Sequence, residues 1–352
     1  MAGARGDLNL AVIGLGRMGK IYARAIAEMD GAHLFAVATD QLASESAFLS
    51  NLDVAHCFEE ASHVFALGEL DAVVIATPTA THRDLVLAAA AAGKAVFCEK
   101  PLALTLEDTQ GMIDASAEAN VPLQVGFMRR FDRDYLRARA AIDAGQIGRP
   151  VSFKSIGRDP FCPDPAYADP SQSGGLIIDM AIHDADLARW LMGADVVRVT
   201  TEGTDLVCGG LHAVGDLDNA VINLRFDDGA IGNIEVSRTA FYGYDVRTEV
   251  LGSKAAVRIG AGDTGPDVLL PAKSDAGGSY LVRRFGSAYR AQIESFVRCV
   301  RTRRPPACTG EDALAAFEIC LAATYSARCG RPVSIERVRA GWTPGSEARA
   351  GA

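Results

Sequence analysis

The sequence predicts an α/β protein of two domains, a doubly wound parallel sheet followed by an α+β domain on a mostly antiparallel open sheet. Three observations predict it. Short apolar runs alternate with helical stretches through residues 1–125, the pattern of strands that need a crossover helix to run parallel. The first run enters a glycine-rich turn, Gly14-Leu15-Gly16-Arg17-Met18-Gly19. From Val196 onward the runs instead alternate apolar and polar residues, as antiparallel strands with one buried face do. The length, 352 residues, exceeds what one hydrophobic core comfortably serves.

Taken in order, residues 1–7 are a polar lead. Leu8–Ile13 is a bounded apolar strand, and 20–29 is the helix after the turn. A G-x-G-x-x-G string alone is weak evidence, but between a strand and a helix, with a second strand at 34–38, it has a physical reading. Gly14 makes the turn, Gly16 lets the backbone approach a pyrophosphate, and Gly19 lets helix and strand pack closely. Arg17 and Met18 lie within the turn as further cofactor contacts, and the N-terminus of the helix that follows offers donors and a positive dipole end to phosphate. Asp40 follows the second strand, where a carboxylate accepts from ribose hydroxyls, which favours NAD over NADP. The other reading of Asp40 is a helix N-cap, with Thr39 at the strand end.

The alternation continues with a helix at 60–66, a strand at 72–76, the loop Thr77-Pro78-Thr79-Ala80-Thr81-His82, a helix at 83–92 closed by Gly93, and a strand at Ala95–Cys98. Thr105 with Asp108 caps the next helix, and a strand at 121–127 closes the unit. Thr77, Glu99 and Lys100 follow strand carboxyl ends, the edge at which such sheets bind ligands. Pro78 lies in the same loop, and His82 either supports the following helix or lines a cofactor cleft.

After Met128-Arg129-Arg130 the character changes. A helix at 132–144 ends at Gly145, and Pro150 precedes a strand at 151–156. Strands are expected at 196–207, 219–226, 230–239, 246–251 and 255–259, with Asp227-Asp228-Gly229 as a hairpin turn. A loop-like stretch at 260–279, helices at 288–301 and 311–328, a short strand at 333–335 and a flexible tail at 339–352 complete the chain. The domains are therefore placed at 1–125 and 126–338. The exposed face of the open sheet invites self-association.

Composition narrows the function classes. With 49% hydrophobic and 22% charged residues the chain is an ordinary globular protein. A net charge of −9 disfavours nucleic acid or an anionic membrane as partner and suits a neutral, compact substrate. The eight cysteines show neither a C-x-x-C pair nor a ligand rhythm, so they are read as reduced, mostly buried thiols. No apolar run is long enough to span a bilayer and no secretory leader pattern opens the chain, which points to the cytoplasm.

The chemistry concentrates at 173–190, S-G-G-L-I-I-D-M-A-I-H-D-A-D-L-A-R-W. As a helix it places Asp179, His183, Asp186 and Trp190 on one face. Leu176, Ile177, Met180, Ala181, Leu187 and Leu191 seat the helix in a core, so the polar stripe faces a cleft. Asp179 and His183 have blander readings, a structural pair or zinc ligands, but no third ligand is apparent and no metal is expected. Lys100 by itself reads equally as a surface lysine before a proline turn.

With the glycine turn, Glu99-Lys100-Pro101, Gly126-Phe127-Met128-Arg129-Arg130-Phe131-Asp132 and the central helix in this order, the chain resembles the glucose-fructose oxidoreductase, inositol dehydrogenase and rhizopine catabolism (Gfo/Idh/MocA) family. The resemblance runs over 8–335. Asp179-Met180-Ala181-Ile182-His183-Asp184 and Tyr242-Gly243-Tyr244-Asp245 look most like the inositol 2-dehydrogenases within it. Departures are Thr39 before Asp40 and the proline- and aspartate-rich segment 157–170.

The resemblance implies a Rossmann domain binding NAD, a substrate domain on an open sheet, and a homotetramer joined through those sheets. It implies oxidation of a cyclic polyol, myo- or scyllo-inositol, to a keto-inositol by a catalytic group of Lys100, Asp179 and His183, with Lys100 delivered from the other domain. In such chemistry His183 is the base, Asp179 holds a ring nitrogen, and Lys100 orients the hydroxyl and stabilises the developing oxygen charge. Arg129, Asp159, Tyr242 and Tyr244 are candidate partners for the remaining hydroxyls; the two tyrosines are expected to alternate on a strand and share a face. The same fold allows an NAD(P)-dependent aldose or other sugar dehydrogenase, or an NAD-dependent glycosidase. A dinucleotide sensor without turnover is a third reading, against which Lys100, Asp179 and His183 together argue.

Overall fold

Six parallel strands form the first sheet: β1 (Leu8–Ile13), β2 (Ala32–Ala38), β3 (His56–Phe58), β4 (Ala72–Ile75), β5 (Ala95–Cys98) and β6 (Leu123–Val125), in the order β3-β2-β1-β4-β5-β6. Parallel neighbours need crossovers, and the helices Arg17–Ala27, Ala61–Phe65, His82–Ala91 and Leu106–Glu118 lie between them in the chain. β4 and β5 are buried along their whole length, which is why they read as continuous apolar runs. The strand order reverses between β1 and β4, and the crevice at their carboxyl ends is where such sheets take a ligand. β6 is shorter than expected because the Phe127 N–H turns back onto the Val125 carbonyl and a 3-10 turn, Met128–Phe131, follows.

This computed structural model describes residues 6–260 and 279–344. The chain divides into two compact units, Met1–Asp132 with Leu281–Leu314, and Arg133–Tyr280 with Ala315–Ala352. The boundary expected at 125 therefore lies at Asp132, and the chain returns to the first unit late. The return is made by the helix Ser279–Thr302, longer than the expected 288–301. Its Gln292 donates to the Tyr22 hydroxyl at 2.8 Å and accepts from Gln124 through its carbonyl at 2.9 Å.

The second unit is built on β7 (Pro150–Arg158), β8 (Val196–Thr204), β9 (Asn219–Phe226), β10 (Ile231–Ser237), β11 (Asp245–Gly252), β12 (Ala256–Ile259) and β13 (Val333–Ser334), in the order β12-β11-β7-β10-β9-β8-β13. β7 and β10 pair in parallel and the other pairings are antiparallel. Along β9, Ala220, Ile222, Leu224 and Phe226 are buried while Val221 and Arg225 are exposed. Gly229 takes φ +92° in the hairpin to β10. β8 stops at Thr204 because the Asp218 carboxylate accepts from the N–H groups of Val207 and Cys208, at 2.6 and 2.9 Å, and draws them out of the ladder.

Two expectations are corrected here. The tail expected to be flexible from 339 is held at its start, since Arg339 donates to both oxygens of the buried Glu318 at 2.7 Å and Trp342 lies under the Arg337 guanidinium. Residues 345–352, like 261–278 of the expected loop, lie outside the described residues. The cysteines are not all thiols. Cys162 and Cys208 form a disulfide across 46 residues, and six cysteines are free. Cys162 packs with Ala168, Cys208 and Leu211, where the segments following β7 and β8 meet, a proximity that no sequence spacing encodes. Thiol titration of the denatured, unreduced protein is expected to find six groups, and eight after reduction; eight before reduction would remove the bond. Loss of the bond should cost about 2–4 kcal/mol of stability.

Among the described residues no helix is long and apolar enough to cross a membrane.

Candidate functional site

In the first unit the site starts from the glycine turn. Gly14 has φ +89°, and a Cβ there would lie 2.8 Å from both the Ala76 oxygen and Thr77 Cγ2, so only glycine passes the end of β4. A Cβ on Gly19 would overlap the Gly14 carbonyl oxygen. Gly16 is different, with no atom within 4 Å of where its Cβ would stand. It is the N-cap of the helix Arg17–Ala27, and among the described residues no side chain caps that helix. Its first N–H groups are left for an anion. These features fit the pyrophosphate of a dinucleotide.

Asp40 is exposed just beyond β2, whereas Thr39 is buried and its Oγ1 accepts from the Gln41 N–H at 3.3 Å. The next helix begins only at Ser46, with Glu45 as its N-cap. The N-cap reading of Asp40 is therefore not realised, and its carboxylate stands at the strand end suited to a ribose.

After β4, Thr77 Oγ1 lies 2.7 Å from the Thr81 hydroxyl, which also reaches the Pro78 carbonyl. His82 is enclosed, 1% exposed, with Nδ1 3.0 Å from the Pro101 carbonyl and Nε2 3.0 Å from that of Thr77. It ties the two ligand-edge loops together from behind. Burial pulls its imidazole below the ordinary value, against the carbonyls that favour a ring proton. Unfolding thus lets His82 take up a proton below 6.5, its ordinary value. Its stabilising contribution is complete above that pH and lost as pH falls, with a slope of at most about 1.4 kcal/mol per pH unit. Urea midpoints of the wild type should accordingly fall more steeply between about pH 7 and 5 than those of His82→Gln; equal slopes would discard His82 as the cause.

Glu99 and Lys100 follow β5, and the Lys100–Pro101 peptide is cis. Glu99 is buried, accepting from the Tyr22 hydroxyl and, at 3.0 Å, from the Lys100 N–H. Burial raises its carboxyl, while Tyr22 and the Lys100 charge oppose the rise. Gly126 makes room for it, since a Cβ there would stand 3.1 Å from the carboxylate. Tyr22 and Gln292, which support Glu99, escaped sequence reasoning because they are 270 residues apart. Arg129 is buried in the 3-10 turn Met128–Phe131, and its neighbour Arg130 is ion-paired with Asp312 at 3.1 Å.

In the second unit the helix Gly175–Met192 begins two residues later than the sequence suggests. The Asp-Pro pairs ahead of it each start a short helix of their own, Pro165–Ala168 and Pro170–Ser173. In each, the aspartate caps and the proline takes the first position. Gly174, at φ +83°, then ends the second and permits the long helix to start. Leu176, Ile177, Ala181, Leu187 and Leu191 are buried, and Asp184 accepts from the Ser155 hydroxyl of β7. Asp179 and His183 are half-buried one turn apart. Asp186 is buried, and Trp190 lies beneath Arg139, which donates to its carbonyl.

Asp179 has two partners that the sequence did not suggest. Its Oδ2 accepts from the Tyr167 hydroxyl at 3.2 Å and lies 3.4 Å from Arg238 Nη2. Asp159 directly follows β7, its N–H bonded to the Ser237 carbonyl at 2.8 Å. Tyr242 and Tyr244 do not alternate on a strand: they lie in the turn before β11, where the Gly243 N–H bonds the Ala240 carbonyl. Their side chains part there. The Tyr242 hydroxyl accepts from Arg158 and donates to Asp245, each at 2.8 Å, while the Tyr244 ring packs 4.9 Å from that of Tyr280.

Residues 8–127 match the family model described as an oxidoreductase family, NAD-binding Rossmann fold, and residues 135–258 match the GFO/IDH/MocA C-terminal domain. The chain is 38% identical over 340 residues to scyllo-inositol 2-dehydrogenase (NAD(+)) of Bacillus subtilis, covering 95% of this chain and 98% of that protein. It is 38% identical over 334 residues to myo-inositol 2-dehydrogenase of Thermotoga maritima, covering 94% and 99%. The crystal structure of scyllo-inositol dehydrogenase from Lactobacillus casei with bound cofactor NAD(H) and scyllo-inositol is similar at a TM-score of 0.82 and 28% identity, covering 94% of this chain and 99% of that one.

Proposed function

Since this chain belongs to the GFO/IDH/MocA oxidoreductase family, we propose that it oxidises a ring hydroxyl of a cyclic polyol with NAD, taking myo- or scyllo-inositol to the keto-inositol. One observation carries the reading beyond family membership: a single helix presents a carboxylate and an imidazole, Asp179 and His183, one turn apart and half-buried. A neutral polyol suits such a pair, which gives a hydroxyl both an acceptor and a base. His183 takes the hydroxyl proton as the carbon is oxidised. Lys100 donates to the oxygen as its charge develops. Bound NAD would supply the hydride acceptor, and Gly14, Gly16, Arg17, Met18, Gly19, Asp40, Thr77, Pro78 and Glu99 would hold it, with His82 supporting their loops. Arg129, Asp159, Asp179, Tyr242 and Tyr244 select which carbon reacts.

We further place the enzyme in the cytoplasm as a homotetramer, joined through the sheet face on which Val221, Ile231 and Leu251 are exposed. A monomer in sedimentation at micromolar concentration would remove that assembly. The test of the function is a panel of myo-, scyllo- and chiro-inositol and glucose with NAD and with NADP, followed by nicotinamide absorbance. An inositol with NAD is expected to give the highest kcat/KM. Absence of turnover with every inositol would sink the reading, and a preference for glucose would move it to a sugar dehydrogenase.

A further inference from the structure

We propose that Arg238 is a positioning residue for the Asp179 carboxylate, braced from behind by Asp216; the proposal rests on the function assigned above to Asp179. Arg238 follows β10 and is 2% exposed. A guanidinium that deeply enclosed requires anionic partners. Among the described residues it has two, one on each terminal nitrogen. Nη1 donates to Asp216 Oδ2, and Nη2 lies 3.4 Å from Asp179 Oδ2.

Asp216 is itself fixed. Its Oδ1 accepts from the Leu176 N–H at 2.8 Å, in the first turn of the helix that carries Asp179. That helix has Gly174, without a side chain, at its N-cap; the Ser173 hydroxyl accepts from the Gly175 N–H at 3.2 Å, and Asp216 supplies the acceptor for the next N–H, that of Leu176, from 40 residues away. The approach depends on glycine. Gly175 has φ +77°, and a Cβ there would stand 2.6 Å from Asp216 Oδ1.

The result is a carboxylate–guanidinium–carboxylate chain that leaves the start of the helix and returns to it at Asp179. The helix is gripped at the Leu176 N–H and again at the Asp179 side chain. Tyr167 holds the same Asp179 oxygen from the segment after β7, and the Cys162–Cys208 disulfide links that segment to the one bearing Asp216. Arginine suits the task because its planar fork addresses two carboxylates at once, which a lysine ammonium does less well.

The experiment compares Arg238→Met, Arg238→Lys and Asp216→Asn with the wild type, measuring kcat and KM for the preferred inositol, the NAD dissociation constant and Tm. Arg238→Met is expected to lose about 100-fold in kcat/KM, the cost of a misplaced reacting group. Arg238→Lys should recover about tenfold of that, and Asp216→Asn should lose about tenfold, with NAD affinity within about threefold throughout. Wild-type kcat/KM in Arg238→Met overturns the proposal, as does a loss shared equally by Met and Lys and matched by lost NAD affinity, which marks general damage. Should Arg238→Met not fold, Arg238→Lys and Asp216→Asn decide on the same criteria. If the wild type oxidises no polyol, the reading of function fails, and the brace is judged by crystal structures of Arg238→Lys and Asp216→Asn. A changed or divided Asp179 rotamer supports it; the wild-type rotamer overturns it.

Discussion

Lys100→Ala is expected to lower turnover about 10³-fold while NAD affinity stays within about threefold. The split follows from which atoms do what. The pyrophosphate is assigned to backbone N–H groups at the glycine turn, at the start of the helix Arg17–Ala27, whereas the part assigned to the Lys100 ammonium is at the reacting oxygen. The Lys100 backbone is anchored by the Glu99 carboxylate, which accepts from its N–H at 3.0 Å, and alanine keeps that bond. The change therefore removes the ammonium and leaves the loop. A donor that strengthens its bond as negative charge grows on oxygen acts on the transition state rather than on cofactor binding. Lys100→Arg keeps the charge but carries it on a longer, planar group, and should recover little. Steady-state kinetics with a fluorescence titration of NADH reads both quantities, and unchanged turnover in Lys100→Ala takes it out of the mechanism.

Gly19→Ala should weaken NAD binding by about 100-fold or more and cost about 1–3 kcal/mol of stability, although it adds one methyl. The new carbon would overlap the Gly14 carbonyl oxygen and stand 2.8 Å from the Gly14 carbonyl carbon. Both are backbone atoms of the turn. The helix Arg17–Ala27 must back away from β1, and its N-terminus then leaves the phosphate position. Gly16→Ala is the control, because nothing lies within 4 Å of its Cβ. That variant should fold with stability within about 0.5 kcal/mol of the wild type, yet its methyl occupies the space assigned to the pyrophosphate, so NAD affinity should fall all the same. Wild-type affinity in Gly16→Ala would place the phosphates elsewhere.

The parts of the fold legible in the sequence are those governed by neighbours a few residues away. Ala95–Cys98 was readable to the residue because a strand buried on both faces is an unbroken apolar run, and Asn219–Phe226 because one buried face makes strict alternation. The Thr105 cap was readable because its bond to the Asp108 N–H, at 3.0 Å, spans three residues. The stripe of Asp179 and His183 followed from helical period alone. Tyr242 and Tyr244 mark the limit of that reasoning, since alternation by itself does not distinguish a strand from the turn that feeds it.

The sequence by itself determined the parallel sheet and its glycine turn, the antiparallel second sheet, the central helix and the chemical character of the residues it presents. Only the tertiary structure decided what holds those residues in place. Gln292 reaches Tyr22 behind Glu99, Asp216 caps the central helix at Leu176, 40 residues before it, Arg238 pins Asp179, and Cys162 meets Cys208. The physical reason is that period and capping are set by backbone geometry over one or two turns, while these partners are joined by sheet register and by the return of the helix from Leu281 to the first unit. Such proximities arise from the whole arrangement of strands and leave no local pattern in the residues they join.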